Sequence, residues 1–260
     1  MSESLQERRE SAASLYFALV FLLALPFWIV GGLADGQIMP GLPLSSLMIV
    51  SPVLAAVLLS LRAGGLESVV ALLARAVDVK RLRSPRLLCV LAFANPIIYL
   101  ASAATQTLLG VDLPWSALAL SQALGLLLVF LVAATLEELG WTAYATDALR
   151  KRRSVVQTGL IIDVVWSIWH VIPLLQVGRS LEWIAWWTIG TIAARVLMVW
   201  LYEHTGRSVF GLSVFHAISN TCWQLYPVQG SFHDPRVNAV LTVVLTLAVI
   251  LPGGLRARPR

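Results

Sequence analysis

Apolar positions in this chain come in long runs rather than alternating stripes. Eight runs are long enough to be read as membrane spans: 14–33, 44–61, 87–109, 117–141 or a little beyond, 154–177, 181–202, 209–227 and 237–251. A helix needs about 20 mostly apolar residues to cross a bilayer. Pro52 and Pro96 interrupt the second and third runs, which neighbouring helices tolerate inside a bundle. The pattern predicts an all-α, polytopic membrane helical bundle of about eight transmembrane helices, one integral membrane domain over residues 1–260. The first run is longer than a signal-peptide core, so an uncleaved span is expected there.

Composition fits this reading. The chain is 58% hydrophobic and 13% charged, against about 25% charged in soluble domains. Cys89 and Cys222, both inside apolar runs, make neither a disulfide framework nor a metal cluster and are expected to be small buried hydrophobes. The net charge of +5 raises nucleic acid as a partner. Its distribution argues for a lipid bilayer instead and no nucleic acid, because the basic residues cluster in loops that end spans.

If the loops are numbered alternately from the N-terminus, one side holds Arg8, Arg9, Arg62, Arg75, Lys80, Arg81, Arg83, Arg86, Arg150, Lys151, Arg152, Arg153, Arg207, Arg256, Arg258 and Arg260. These are 16 of the 19 basic residues. The other side holds Arg179 and Arg236, and Arg195 lies within a span. The excess marks the basic side as cytoplasmic, so a multi-pass cell-membrane protein with both termini cytoplasmic is expected. In the longest loop, 62–86, Leu66, Val69, Val70, Leu73 and Val77 recur at helical spacing beside Arg75, Lys80 and Arg81. That suits either a helix lying in the interface or an ordinary connector with a solvated face.

Four spans carry polar groups that need a reason. Glu137 and Glu138 close the fourth run. An ionised carboxylate in hydrocarbon costs roughly 2.5 kcal/mol or more even on the mild insertion scale. Asp163, Ser167 and His170 share one face of the fifth, Arg195 stands in the sixth, and Ser213, His216 and Asn220 share one face of the seventh. Each alone is explained by interhelical hydrogen bonding, but their depths converge. Glu137 precedes Arg153 by 16 residues and His170 follows it by 17, so an antiparallel hairpin sets them side by side. His216 enters nine residues after Arg207, on the same side. A cavity reached from the cytoplasm is expected.

Adjacent helical residues point ~100° apart, so Glu137 and Glu138 cannot serve one water equally. One is expected to be a general base with His170 sharing or orienting the water, the other to be structural or to tune it. His216 and Asn220 can donate to a developing oxyanion. Base, water and donors together make a hydrolase site without a Ser or Cys nucleophile.

Glu137-Glu138-Leu139-Gly140-Trp141, Trp166-Ser-Ile-Trp-His170 and His216-Ala-Ile-Ser-Asn220 resemble, in order and on three separate spans, the three motifs of the CAAX-protease and bacteriocin-processing (CPBP, or Abi) family. The resemblance covers a protease-like core at about 119–223. It implies an intramembrane glutamate endopeptidase with an eight-helix core, acting without metal or other cofactor on a membrane-associated or lipid-modified protein or peptide. By that likeness Glu137 is the catalytic Glu, His170 its water-activating partner, and His216 with Asn220 the oxyanion pair. The first motif normally carries Arg four residues after the second Glu, where this chain has Thr142. Glu138 then needs another partner, and Arg195 is the candidate unless Asp163 claims it. The alternative is a non-catalytic relative serving in bacteriocin self-immunity or as a membrane scaffold. A proton-coupled transporter would show paired halves, and none is visible. A zinc protease lacks its H-E-x-x-H.

Overall fold

The computed structural model describes residues 2–34, 36–117 and 119–253, with side chains from residue 12 to 252. The Arg8 and Arg9 side chains, and Arg256, Arg258 and Arg260, counted above for orientation, lie outside the described residues.

Among the described residues eight long helices make the bundle: α1 Ser2–Leu33, α2 Val50–Leu73, α3 Pro85–Leu108, α4 Leu120–Gly140, α5 Val155–Gln176, α6 Leu181–His204, α7 Val209–Leu225 and α8 Pro235–Gly253. A two-stranded hairpin, β1 Gln37–Met39 and β2 Leu42–Pro43, turns through Gly41 (φ 81°) between α1 and α2. Among the described residues, seven segments are long and apolar enough to cross a membrane. The expected eighth span, α7, is only 17 residues long and falls short. Pro227 is the reason, since it holds Tyr226 in extended backbone and stops the helix there. The short helix sits inside the bundle, packed against α3 and α4, where it needs no full span.

Several local features were not expected from the apolar pattern. Gly65, at φ 67°, breaks α2, and the stretch beyond it leaves Leu66, Val70 and Val77 exposed beside the basic loop, as an interface helix would. Past Gly140, α4 widens into a π-helical segment, Trp141–Thr146. Gly140 itself is required by proximity: a Cβ there would lie 2.6 Å from the Pro52 backbone, so α4 and α2 touch main chain to main chain. Cys89 is exposed on an apolar outer face and Cys222 half-buried, so neither is the buried hydrophobe expected.

The basic loops are tied to the bundle's interior. Asp78 accepts from the Ser208 hydroxyl (2.8 Å) and from the Val209 and Phe210 amides (3.2 and 3.1 Å), capping the start of α7. Arg75 reaches Asp147 just past the π segment (2.6 Å) and the Arg207 carbonyl (2.9 Å), and also bonds the Tyr202 hydroxyl. This lattice closes the bundle on the basic face.

Candidate active site

The polar residues of four helices meet around one cavity of about 620 Å³. Glu137, at the end of α4, is 3% exposed and lines it, and its Oε2 accepts from Trp166 Nε1 at 2.8 Å. Trp166 also accepts, through its backbone carbonyl, from His170 Nδ1 (3.0 Å). A carbonyl only accepts, so the proton sits on Nδ1 and the lone pair of Nε2 is left for the cavity that His170 lines. One tryptophan therefore orients both groups expected to share a water.

Glu138 is placed differently. It is 0% exposed and set back behind the cavity wall. Arg195 Nη1 donates to both its oxygens (3.1 and 2.9 Å), Thr142 donates its hydroxyl, and His216 Nδ1 lies 2.9 Å from Oε1. Arg195 also approaches Asp163 with Nε at 3.8 Å, while Asp163 accepts from Thr191 (2.8 Å) and Ser167 (3.1 Å). The question of which acid Arg195 serves resolves as both, with Glu138 the closer partner. The guanidinium missing at Thr142 thus arrives from α6.

With Nδ1 committed to Glu138, His216 is left with Nε2 for the cavity it lines, and as an imidazolium that atom is a donor. Asn220, a turn further along α7, lines the same wall. Asn95 of α3, which the motif reading passed over, donates to the Phe215 carbonyl (2.9 Å) and pins α7 next to His216. The only earlier signal for it was an amide one residue before Pro96 in an apolar run. Among the described residues no three His, Cys, Asp or Glu side chains converge as metal ligands.

The cavity opens on the face opposite to the one expected. Its walls run from Glu137 and His170 to the hairpin (Ile38), the α5–α6 turn (Arg179) and the α7–α8 loop (His233). All three lie away from the 150–153 turn. Equal residue counts about that turn bring Glu137 to the level of Trp166 and His170, but they carry no information about which end is sealed. The Arg75 and Asp78 contacts seal the basic end.

Residues 119–222 match the family described as Type II CAAX prenyl endopeptidase Rce1-like. A relative from Methanococcus maripaludis, CAAX prenyl protease 2, is 26% identical over 134 residues, 48% of this chain and 48% of its own length. Both likenesses are to the CAAX-protease and bacteriocin-processing family that the three motifs resemble, the first over residues 119–222. The chain thus spans about half the length of the curated relative it matches. Within the family stretch fall α4, the π segment, α5, α6 and most of α7, which carry all five motif residues and Arg195.

Proposed function

We propose that the protein is an intramembrane endopeptidase that hydrolyses a peptide bond with a water activated by Glu137 and His170. The observation that carries this is the cavity itself. A buried carboxylate and an imidazole with a free Nε2, both oriented by Trp166, face an apolar space together with His216 and Asn220. Glu137 takes a proton from the water as its oxygen attacks the scissile carbonyl, and His170 Nε2 orients that water. His216 Nε2–H and the Asn220 amide receive the oxyanion. The proton held by Glu137 then passes to the leaving nitrogen as the C–N bond breaks. Glu138 is a positioning residue: it holds His216 and is itself held by Arg195 and Thr142. The Arg195 bonds to Glu138, standing in for the Arg absent at Thr142, support this reading over a non-catalytic relative.

The substrate in this reading is a membrane-associated or lipid-modified protein or peptide, and the printed name of the Methanococcus maripaludis relative, CAAX prenyl protease 2, supports it. The apolar rim supports it, since Ile38, Leu47, Val129 and Val132 both line the cavity and are exposed, Val132 at 64%. The charge asymmetry of the loops puts the basic face in the cytoplasm of a cell-membrane protein, with both termini on that face, so the cavity opens toward the other side.

The test is incubation of the purified, reconstituted protein with an S-farnesylated peptide ending in Cys-Val-Ile-Met, after exhaustive chelation, with products read by mass spectrometry. Cleavage that adds one water across one peptide bond is expected. No cleavage, or cleavage that returns only with added zinc, overturns the reading.

A further inference from the structure

The basic loop between α2 and α3 carries an apolar stripe that the proposed chemistry leaves unused. From Leu44 to the break at Gly64 and Gly65 the chain already supplies roughly 20 residues, enough to cross a bilayer. The stretch beyond the break therefore lies at the membrane surface, and its 74–77 turn packs back against α4 and α7. Its inner side buries Leu72 and carries Arg75 to Asp147 and Tyr202. Its outer side presents Leu66, Val70, Leu73 and Val77 at helical spacing, with Leu66 74% and Val77 72% exposed. Nothing in the protein covers this row, and acyl chains are the apolar medium at hand.

Cations frame the stripe. Arg62, Lys80, Arg83 and Arg86 are exposed, and among the described residues none of their side chains has an ion-pair or hydrogen-bond partner. Arg81 and Asp78 are engaged with each other (3.7 Å) and with the start of α7 and the turn before it. Glu67 is exposed and is the one unpaired acid of the stretch among the described residues. Four free cations against one free acid leave a positive surface beside the apolar row. A phospholipid with an anionic headgroup matches both chemistries, its acyl chains meeting the stripe and its phosphodiester oxygens the guanidinium and ammonium groups. A soluble polyanion would satisfy the cations and leave the stripe in water.

We propose that residues 62–86 dock anionic phospholipid of the leaflet on the basic side, and that this docking steadies α7. The link is Asp78, which lies between the stripe and the Lys80–Arg86 cations and caps α7 through the Ser208 hydroxyl and the Val209 and Phe210 amides. His216 follows Val209 by two turns of the same helix, a rise of roughly 10 Å. Arg75, three residues before Asp78, ties the same segment to Asp147 beyond the π segment. Headgroups held by the outer cations fix the segment from the lipid side, while Asp78 and Arg75 fix it from the protein side. The surface thus concerns how α7 is held in place, whichever reaction its residues serve.

The experiment places a bimane label at Ala71→Cys in a chain lacking Cys89 and Cys222. Quenching by dibrominated phosphatidylglycerol is compared with quenching by dibrominated phosphatidylcholine, at equal mole fraction in nanodiscs otherwise of phosphatidylcholine. Phosphatidylglycerol should be enriched at the label on the order of fivefold or more at low salt, the equivalent of about one engaged cation. The enrichment should shrink as salt rises and vanish in Lys80→Gln/Arg83→Gln/Arg86→Gln. Raising salt on the protein with all its cations gives the same test if the triple variant misfolds. Hydrogen exchange of the 209–211 amides, read by mass spectrometry, should slow in phosphatidylglycerol nanodiscs, and the triple variant should lose that difference. Equal quenching by the two lipids overturns the surface, as does an enrichment that survives both salt and the triple variant, or a label that neither lipid quenches. Slowing of exchange by inorganic phosphate in phosphatidylcholine alone would assign the cations to a free anion and also overturn it. Exchange identical in the two lipids overturns the link to α7. No readout uses cleavage, so failure here leaves the endopeptidase reading standing, and failure of that reading leaves this one.

Discussion

Replacing Arg195 by Met tests the arrangement on which the whole polar cluster leans. The guanidinium makes two hydrogen bonds to Glu138 and approaches Asp163, with Arg195 at 3% exposure. Without it, Glu138 retains one hydroxyl and one imidazole for a full negative charge away from water. Breaking a buried pair from one side costs about 3–5 kcal/mol, because the remaining charge is uncompensated. At roughly 2–4 °C per kcal/mol for chains of about this size, the midpoint should fall by about 6 °C or more. The assay is thermal unfolding in detergent of Arg195→Met, Glu138→Gln and the double variant. Since the penalty is an unpaired charge, the double variant should recover much of the loss, a non-additivity above 1 kcal/mol. Arg195→Met as stable as the parent, or a double variant with strictly additive losses, would refute the reasoning.

Two further predictions concern the open face of the cavity. Burial and the nearby Arg179 charge push the His233 pKa down to about 4. The unfolded chain then binds the proton more readily, so stability from this site is complete above about pH 6.5 and is lost as pH falls toward 4. His233→Phe should flatten the unfolding midpoint between those pH values, and an unchanged slope would count against it. In a cysteine-free background, Ile38→Cys should react with a membrane-impermeant maleimide in intact cells, and Lys151→Cys only after permeabilisation. The opposite pattern would invert the orientation.

Much of the site was legible because membrane depth can be counted from a turn. The 150–153 turn predicts Glu137 beside His170; the structure joins Glu137 to Trp166, one turn earlier on α5, and sets His170 on the same cavity. The cost of a lone guanidinium in lipid likewise predicts the Arg195 pairing with Glu138 or Asp163. Features that depend on three-dimensional closure were not legible. Counting along a helix cannot say which end is sealed, and the seal comes from Arg75 and Asp78, which as sequence look like ordinary loop charges. The π segment after Gly140 has the composition of a continuing helix. The short α7 reads as a span because its apolar run continues past the residue where Pro227 stops the helix. Trp166 looks like a packing aromatic until its indole N–H is found on Glu137.

The central claim is that Glu137, and not its neighbour, takes the proton from the attacking water. The direct measurement is the single-turnover cleavage rate of the farnesylated peptide by Glu137→Gln and by Glu138→Gln, each with peptide affinity measured in parallel. The amide at position 137 keeps the Trp166 bond within reach but cannot accept a proton, so its rate should fall by at least ~10²–10⁴ with binding intact. Glu138→Gln should lose stability and retain a measurable rate. A Glu137→Gln protein that cleaves at the parent rate, with Glu138→Gln dead or equally active, would contradict the account.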